Sequence, residues 1–327
     1  MRSYLAARIA QLVLTFFVIL TLVFFLFRLG LPDPTSALIT EGLSQEDIQR
    51  TRERFGLDLP VWQQYFVFLG NLFTGELGTS FHYRAPVGFI VVDRLLNTLA
   101  MMLPAILLAY TLGPALGVQL TWKRGRGIER GGITLGLILR SAPVFWTGML
   151  AIFVFGVGLG ILPTSGMRTL PYEASGFFDK ILTLDFLRHL ILPMLVVAAY
   201  YIALPMLIMR NTMLEVIGDD FIEFCRARGF SEARTMYRHA ARNALLPVVT
   251  QAAVTTGLAV GGQIVVEVVF SWPGLGREMF QAVQTSDYPM AQATFIFMAG
   301  MILVLNFLVD LVYGRLDPRV ADASVRS

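Results

Sequence analysis

Residues 9–27 read IAQLVLTFFVILTLVFFLF, an apolar run bounded by Arg8 and Arg28 with no charge inside it. A hydrocarbon core of about 30 Å takes roughly 20 such residues as a helix. Lipid offers backbone N–H and C=O groups no outside partner, so the run predicts a membrane-spanning helix. It is long for the apolar core of a secretory leader, and the FRLGLPDPTS at 27–36 offers no small-x-small cleavage site, so the span is read as retained.

Five further runs of the same kind follow, at residues 95–122, 141–162, 190–209, 245–270 and 291–309. Pro104, Pro114, Pro193 and Pro205 fall inside them, which a membrane helix tolerates because its neighbours re-satisfy the freed carbonyls. The whole chain agrees: of 327 residues 55% are hydrophobic and 15% charged, against about 25% charged in an ordinary soluble domain. The expected class is an all-α polytopic membrane protein with six transmembrane helices.

Several function classes fall away. The formal charge of +3, from 26 basic and 23 acidic residues, is too small and too scattered for nucleic acid. Cys225 is the lone cysteine, and His82, His189 and His239 stand far apart with no metal-ligand spacing. They are followed by Tyr83, Leu190 and Ala240, so the zinc-protease pattern H-E-x-x-H is absent, and Ser165 has no histidine at a suitable spacing for an intramembrane protease. A phosphate-binding loop needs Gly-Lys, whereas Lys123 and Lys180 follow Trp122 and Asp179. An ion-coupled carrier, the remaining rival, needs ionisable groups at mid-membrane and often an internal repeat. Glu267 and Asp310 lie near span ends, where snorkelling lowers their cost, and Arg140 is read at the inner edge of the third span.

Orientation follows from arginine and lysine in short connectors. With the N-terminus inside, the inner connectors hold Arg2, Arg8, Lys123, Arg124, Arg126, Arg130, Arg210, Arg226, Arg228, Arg234, Arg238, Arg242, Arg315, Arg319 and Arg326, fifteen of the 26 basic residues. The two short outer connectors hold four: Arg168, Lys180, Arg188 and Arg277. Both termini are therefore expected in the cytoplasm.

The long outer segment 28–94 carries a helix signal with a capping-box start at Ser44 and Asp47 and a stop at Gly56, then an amphipathic stretch at 61–73. The connector between the fourth and fifth spans, GDDFIEFCRARGFSEARTMYRHAARNALLP at 218–247, parses as two short helices meeting at Gly229. Asp219 or Asp220 caps the first and Ser231 the second. Ala233, Met236, Tyr237, Ala240, Ala241 and Ala244 are expected on one face, and Arg234, Arg238 and Arg242 form a basic stripe. Such a stripe is ordinarily a solvated face; here the apolar residues are mostly small, as a docking element requires. Gly257 and Gly261 make a G-x-x-x-G pair, and SWPGLG at 271–276 reads as a turn, with Trp272 suited to the membrane interface.

These segments resemble the permease subunits of ATP-binding-cassette importers, in the oligopeptide, dipeptide and nickel branch. The connector is similar to that family's ATPase-coupling motif at Asp220, Glu223, Ala227, Gly229, Arg238, His239, Ala240, Arg242, Asn243 and Pro247. Cys225 stands where the family usually has alanine. Further matches are FGLDLP with Tyr65, GELGTS at 75–80, LRSAPVFW, LPTSG, VEVVFSWPGLG with Glu267, Phe270, Pro273, Gly274 and Gly276, DYP at 287–289, and NFLVDLVYGRLDPRV. Glu76 replaces an aspartate of the family pattern, and LPDP at 31–34 replaces PGDP. The likeness covers essentially the whole chain.

The resemblance implies a type I importer transmembrane domain in the bacterial inner membrane: residues 1–27 a first span, 28–94 a periplasmic segment, 95–316 the permease domain, and 317–327 a cytoplasmic tail. It implies pairing with a second homologous permease, two ATPase subunits below that bind ATP and magnesium, and a substrate-binding protein above. The corner at about 219–243 would enter a groove on one ATPase; this chain would hold no cofactor and catalyse nothing. Di- and oligopeptides are the expected substrates, with nickel complexes and glutathione-like compounds the alternatives.

Overall fold

A computed structural model describes residues 2–29, 46, 49, 58–171, 176–261 and 264–316. Among them every regular element is a helix, and the sole β feature is an isolated bridge between Thr79 and Pro86. The expected cap and stop at Ser44, Asp47 and Gly56 lie outside the described residues, as do the side chains of Gly257, Gly261 and Asp310.

The chain forms two compact units, Met1–Thr98 with Pro273–Phe307, and Leu99–Trp272 with Leu308–Ser327. In the first, α1 (Arg2–Leu29) packs on α2 (Val61–Thr74) through aromatic rings, Phe24 lying 5.2 Å from Tyr65 and 5.4 Å from Phe68. The Tyr65 hydroxyl also hydrogen-bonds Thr21 Oγ1 at 2.7 Å, so the ring's polar tip is satisfied. The opening residues of α3 (Val87–Trp122), together with helices described below, complete this unit.

The second unit is built around a 33-residue helix. After α3 come α4 (Gly127–Ser141), α5 (Val144–Ala151) continued by a π-type turn Ile152–Gly158, α6 (Phe177–Ile181), and then the central α7 (Leu184–Val216). Small residues let neighbours approach α7 closely. A Cβ on Gly117 of α3 would lie 2.5 Å from the Met206 carbonyl oxygen, and one on Gly136 of α4 2.5 Å from Met206 Cε. The chain continues through α8 (Asp220–Ala227), α9 (Glu232–Arg234) with a π-type turn Thr235–Ala240, α10 (Ala241–Gly261) and α11 (Ile264–Val269). It closes with α12 (Leu275–Gln284) and α13 (Tyr288–Leu316).

Among the described residues four helices are long and apolar enough to cross a membrane: Leu5–Arg28, Val87–Trp122, Leu184–Val216 and Tyr288–Leu308. They contain the first, second, fourth and most of the sixth expected spans, and the interior prolines indeed leave α3 and α7 continuous. The third span differs from its expectation. Gly127–Ser141 and Val144–Gly158 meet at 102°, so the apolar stretch is broken at Ala142 and Pro143, and it begins 14 residues earlier than residue 141. Pro143 occupies the N-cap of α5, where its missing N–H costs no helical hydrogen bond. The two halves face different partners: α4 packs Gly136 on Met206 and Ala203 of α7, whereas α5 sets Gly148 against Val269 and Phe270. The fifth expected span is helical on both sides of residues 262–263.

Candidate functional site

The connector from α7 to α10 is a packed helical corner. Asp219 takes the N-cap backbone position of α8 without a side-chain cap bond, so neither aspartate caps as expected. The helix ends in a turn at Gly229, φ +77°, with Gly229 N–H donating to Arg226 O at 2.9 Å and Phe230 N–H to Cys225 O at 3.2 Å. A left-handed residue there is what glycine supplies. Ser231 Oγ accepts from Arg234 N–H at 3.4 Å and starts α9 as expected.

The apolar side of the corner does not face outward. Ile222, Met236, Ala240, Ala241, Ala244 and Val248 are buried in one cluster with Val118 of α3 and Met209 and Met213 of α7. The small residues thus bring the corner close to its own bundle, correcting the expectation that they form the docking surface. Ala233 and Tyr237, placed on that face by α-helical spacing, are exposed. The π-type turn Thr235–Ala240 changes the phase of the helix, and a uniform 3.6-residue period cannot anticipate that.

Asp220, Glu223, Ala227, Gly229, Arg238, Arg242, Asn243 and Pro247 are exposed, His239 is half-buried and Ala240 is buried. Arg226 pairs with Glu232 at 3.1 Å, and Arg234 lies 4.5 Å over the Phe230 ring, which stacks on His239 at 5.2 Å. The basic stripe and Glu223 therefore share the free surface of an element whose other side is locked. At its root, Arg210 of α7 holds Glu129 of α4 with Nε 3.0 Å from Oε1, while Glu129 Oε2 accepts from Gly125 N–H at 2.7 Å. Sequence reading missed this pair, because nothing in the spacing of residues 129 and 210 signals contact.

At the other end of α11, Trp272 N–H closes a turn on Glu267 O at 2.8 Å and Ser271 takes φ +49°. Trp272 is fully buried, its ring 5.9 Å from Phe186, so it does not sit at an interface with lipid headgroups as expected. Glu267 and Phe270 are buried too, so Glu267 does not snorkel. The Phe270 carbonyl accepts from Gly166 N–H at 2.8 Å, joining LPTSG to VEVVFSWPGLG. In the first unit Pro273 is half-buried and Gly274 and Gly276 buried; Asn97 Nδ2 donates to Pro273 O at 2.9 Å, and Leu275 N–H donates to Thr98 Oγ1 at 2.8 Å. There too GELGTS meets DYP: buried Asp287 accepts from Ser80 Oγ at 2.5 Å, His82 N–H at 3.1 Å and Met290 N–H at 3.3 Å. Glu278 bonds Arg94 Nε at 2.9 Å and the Tyr83 hydroxyl at 3.2 Å, and burial followed by the Glu278 charge pushes the Tyr83 phenol up from its ordinary range.

Residues 113–322 match the family described as binding-protein-dependent transport system inner membrane component, and residues 1–102 match its N-terminal counterpart. The chain belongs to that family. The permease is 37% identical to a di/tripeptide transport system permease protein, DppB, of Pseudomonas aeruginosa, over 98% of this chain and 99% of the relative. It is 35% identical to the dipeptide permease DppB of Escherichia coli K12, over 94% and 96%. A structure of the MetNI methionine ABC transporter has the same fold, with a TM-score of 0.51 at 20% identity over 70% of this chain and 97% of that one. The permease is thus a multi-pass protein of the bacterial inner membrane and a transport component of an ATP-binding-cassette importer. Catalysis of ATP hydrolysis belongs to a separate subunit, and the importer works with ATPase and substrate-binding partners.

Proposed function

We propose that this permease forms half of the translocation pathway of a di/oligopeptide importer. It pairs with a second, homologous permease, above two ATPase subunits that bind ATP and magnesium, and below a substrate-binding protein; this chain holds no cofactor. Six spans put both termini in the cytoplasm, with residues 28–94 periplasmic, 95–316 the permease domain and 317–327 a cytoplasmic tail. The peptide substrate rests on the names of the relatives, a di/tripeptide and a dipeptide permease.

One observation carries the coupling role: the corner at 219–243 is anchored on one side and charged on the other. Ile222, Met236 and Ala240 lock it to Met209 and Met213 of α7 and Val118 of α3. A push delivered to the exposed Glu223, Arg238 and Arg242 therefore passes into the long helices instead of dissipating in a loop. Well-packed elements move as units, which is what ATP-driven alternation of access requires.

The test uses the assembled importer in proteoliposomes. Glu223→Lys and Gly229→Trp are expected to cut peptide uptake per ATP hydrolysed at least tenfold, or to lose the ATPase subunits on co-purification. Unchanged uptake and co-purification in both variants would remove the corner from the docking interface. Uptake by this chain alone, driven by a proton or sodium gradient, would overturn the importer reading of its mechanism.

A further inference from the structure

Arg140 lies in the last turn of α4, and its guanidinium carbon sits 4.2 Å over the Tyr200 ring and 5.8 Å from that of Tyr201. This is not the inner edge of a span, where the sequence had suggested it. α4 runs antiparallel to α7: Glu129 meets Arg210, Gly136 meets Met206, and Arg140 meets Tyr200. Ten residues of helix separate Tyr200 from Arg210, about 15 Å at 1.5 Å per residue. In a hydrocarbon core of about 30 Å, with the Arg210–Glu129 pair at one face, Arg140 stands near the middle.

An ionisable group at that depth is costly and is kept where it meets water, a partner or a substrate. Arg140 is exposed on the surface of this chain. Among the described residues no carboxylate lies within salt-bridge distance of it and no acceptor takes its N–H groups. The Tyr200 ring packs against the guanidinium, whose N–H groups have no acceptor among the described residues and so are available to a carboxylate, which arginine takes with two parallel hydrogen bonds. Further polar groups share the level. The Tyr110 hydroxyl hydrogen-bonds Thr255 Oγ1 at 2.6 Å, Gln251 Nε2 donates to the same Thr255 oxygen at 3.2 Å, and Tyr110 is within electrostatic reach of Tyr201 and Arg140.

We infer that Arg140, held by Tyr200 and Tyr201, is a mid-membrane subsite for the C-terminal carboxylate of the transported peptide. The inference rests on the peptide reading above. Every di- or oligopeptide with a free C-terminus carries that group whatever its side chains, so a single arginine serves a broad cargo. Tyr200 and Tyr201 act as positioning residues that fix the plane of the fork.

The experiment measures dipeptide uptake and binding-protein-stimulated ATP hydrolysis by the complete importer in proteoliposomes, with Arg140→Gln, Arg140→Lys and Arg140→Glu. Expected is at least a tenfold fall in uptake per ATP for Arg140→Gln, an equal or larger fall for Arg140→Glu, and an intermediate fall for Arg140→Lys, which keeps the charge but loses the planar fork. ATP hydrolysis stays within twofold throughout. Retained uptake in Arg140→Gln overturns the subsite, as does an Arg140→Glu variant that transports better than Arg140→Gln, since a carboxylate there should repel the cargo. ATP hydrolysis or assembly failing in parallel with uptake also overturns it, in favour of an acidic residue on the partner permease. Wild-type importer that carries no dipeptide overturns the peptide reading itself and, with it, the ligand assigned to Arg140.

Discussion

Two glycines in the second unit do opposite jobs, and single substitutions separate them. Gly117 is helical and crowded: a Cβ there would fall 2.5 Å from Met206 O and 2.8 Å from Met209 Cβ. Gly229 has nothing within 4 Å but takes φ +77°. Gly117→Ala should therefore cost about 1–3 kcal/mol through overpacking, and Gly229→Ala about 1–2 kcal/mol through backbone strain. Asparagine divides them, because it tolerates the left-handed region but not a clash. In thermal unfolding of the detergent-solubilised importer, Gly229→Asn should stay close to wild type while Gly117→Asn melts markedly lower; equal losses would refute the distinction. Gly229 was legible in the sequence because a turn signal is local. Gly117 was not, since its partner is 89 residues away along the chain.

Elements were legible wherever one period or one apolar run dictated them, and illegible where two packing partners competed. Pro104, Pro193 and Pro143 look alike in sequence, yet the first two lie inside helices and the third begins one. What differs is tertiary: α4 must follow α7, and α5 must turn to meet Val269 and Phe270. The corner repeats the lesson, for the π-type turn at Thr235–Ala240 buries Met236 and Ala240 while releasing Tyr237. Motif pairs behave similarly. GELGTS and DYP are each visible, but their junction at Ser80 and Asp287 is visible only in space. Asp287→Ala removes the acceptor for three donors, including Met290 N–H at the start of α13. Leaving buried donors unsatisfied costs about 1–3 kcal/mol each, so this variant should lower the melting temperature beyond Ser80→Ala, which removes one donor to Asp287 and the acceptor of Tyr83 N–H but leaves Asp287 its other two donors. A smaller loss for Asp287→Ala than for Ser80→Ala would show that the carboxylate is not the organising group.

At the scale of the molecule, charge is expected to do what packing cannot: in the proposed topology it sets which ends of the spans face the cytoplasm. The fold alone is indifferent to direction, because apolar helices fit the bilayer either way up. Basic residues break that symmetry: five of them, Arg226, Arg228, Arg234, Arg238 and Arg242, belong to the connector that carries the corner, and a sixth, Arg210, lies near the end of α7 at its root. The break in the third span sharpens this count. In the proposed topology it shortens the second inner connector to the turn between α3 and α4, residues 123–126, which concentrates Lys123, Arg124 and Arg126 in four residues. The lone cysteine makes the orientation directly testable, since Cys225 is buried and Cys225→Ala replaces it with a small residue at little cost in packing. In that background, single cysteines at Arg124 and Arg228 should resist a membrane-impermeant maleimide in intact spheroplasts and react once the membrane is opened. Cysteines at Arg84 and Asp179, exposed on the opposite connectors, should react at once. Labelling of Arg228→Cys from outside would turn the corner away from the ATPases and end the coupling proposal. Protection of Asp179→Cys together with labelling of Arg228→Cys would mean that α4 and α5 enter and leave by the same face, making the bent pair a re-entrant loop.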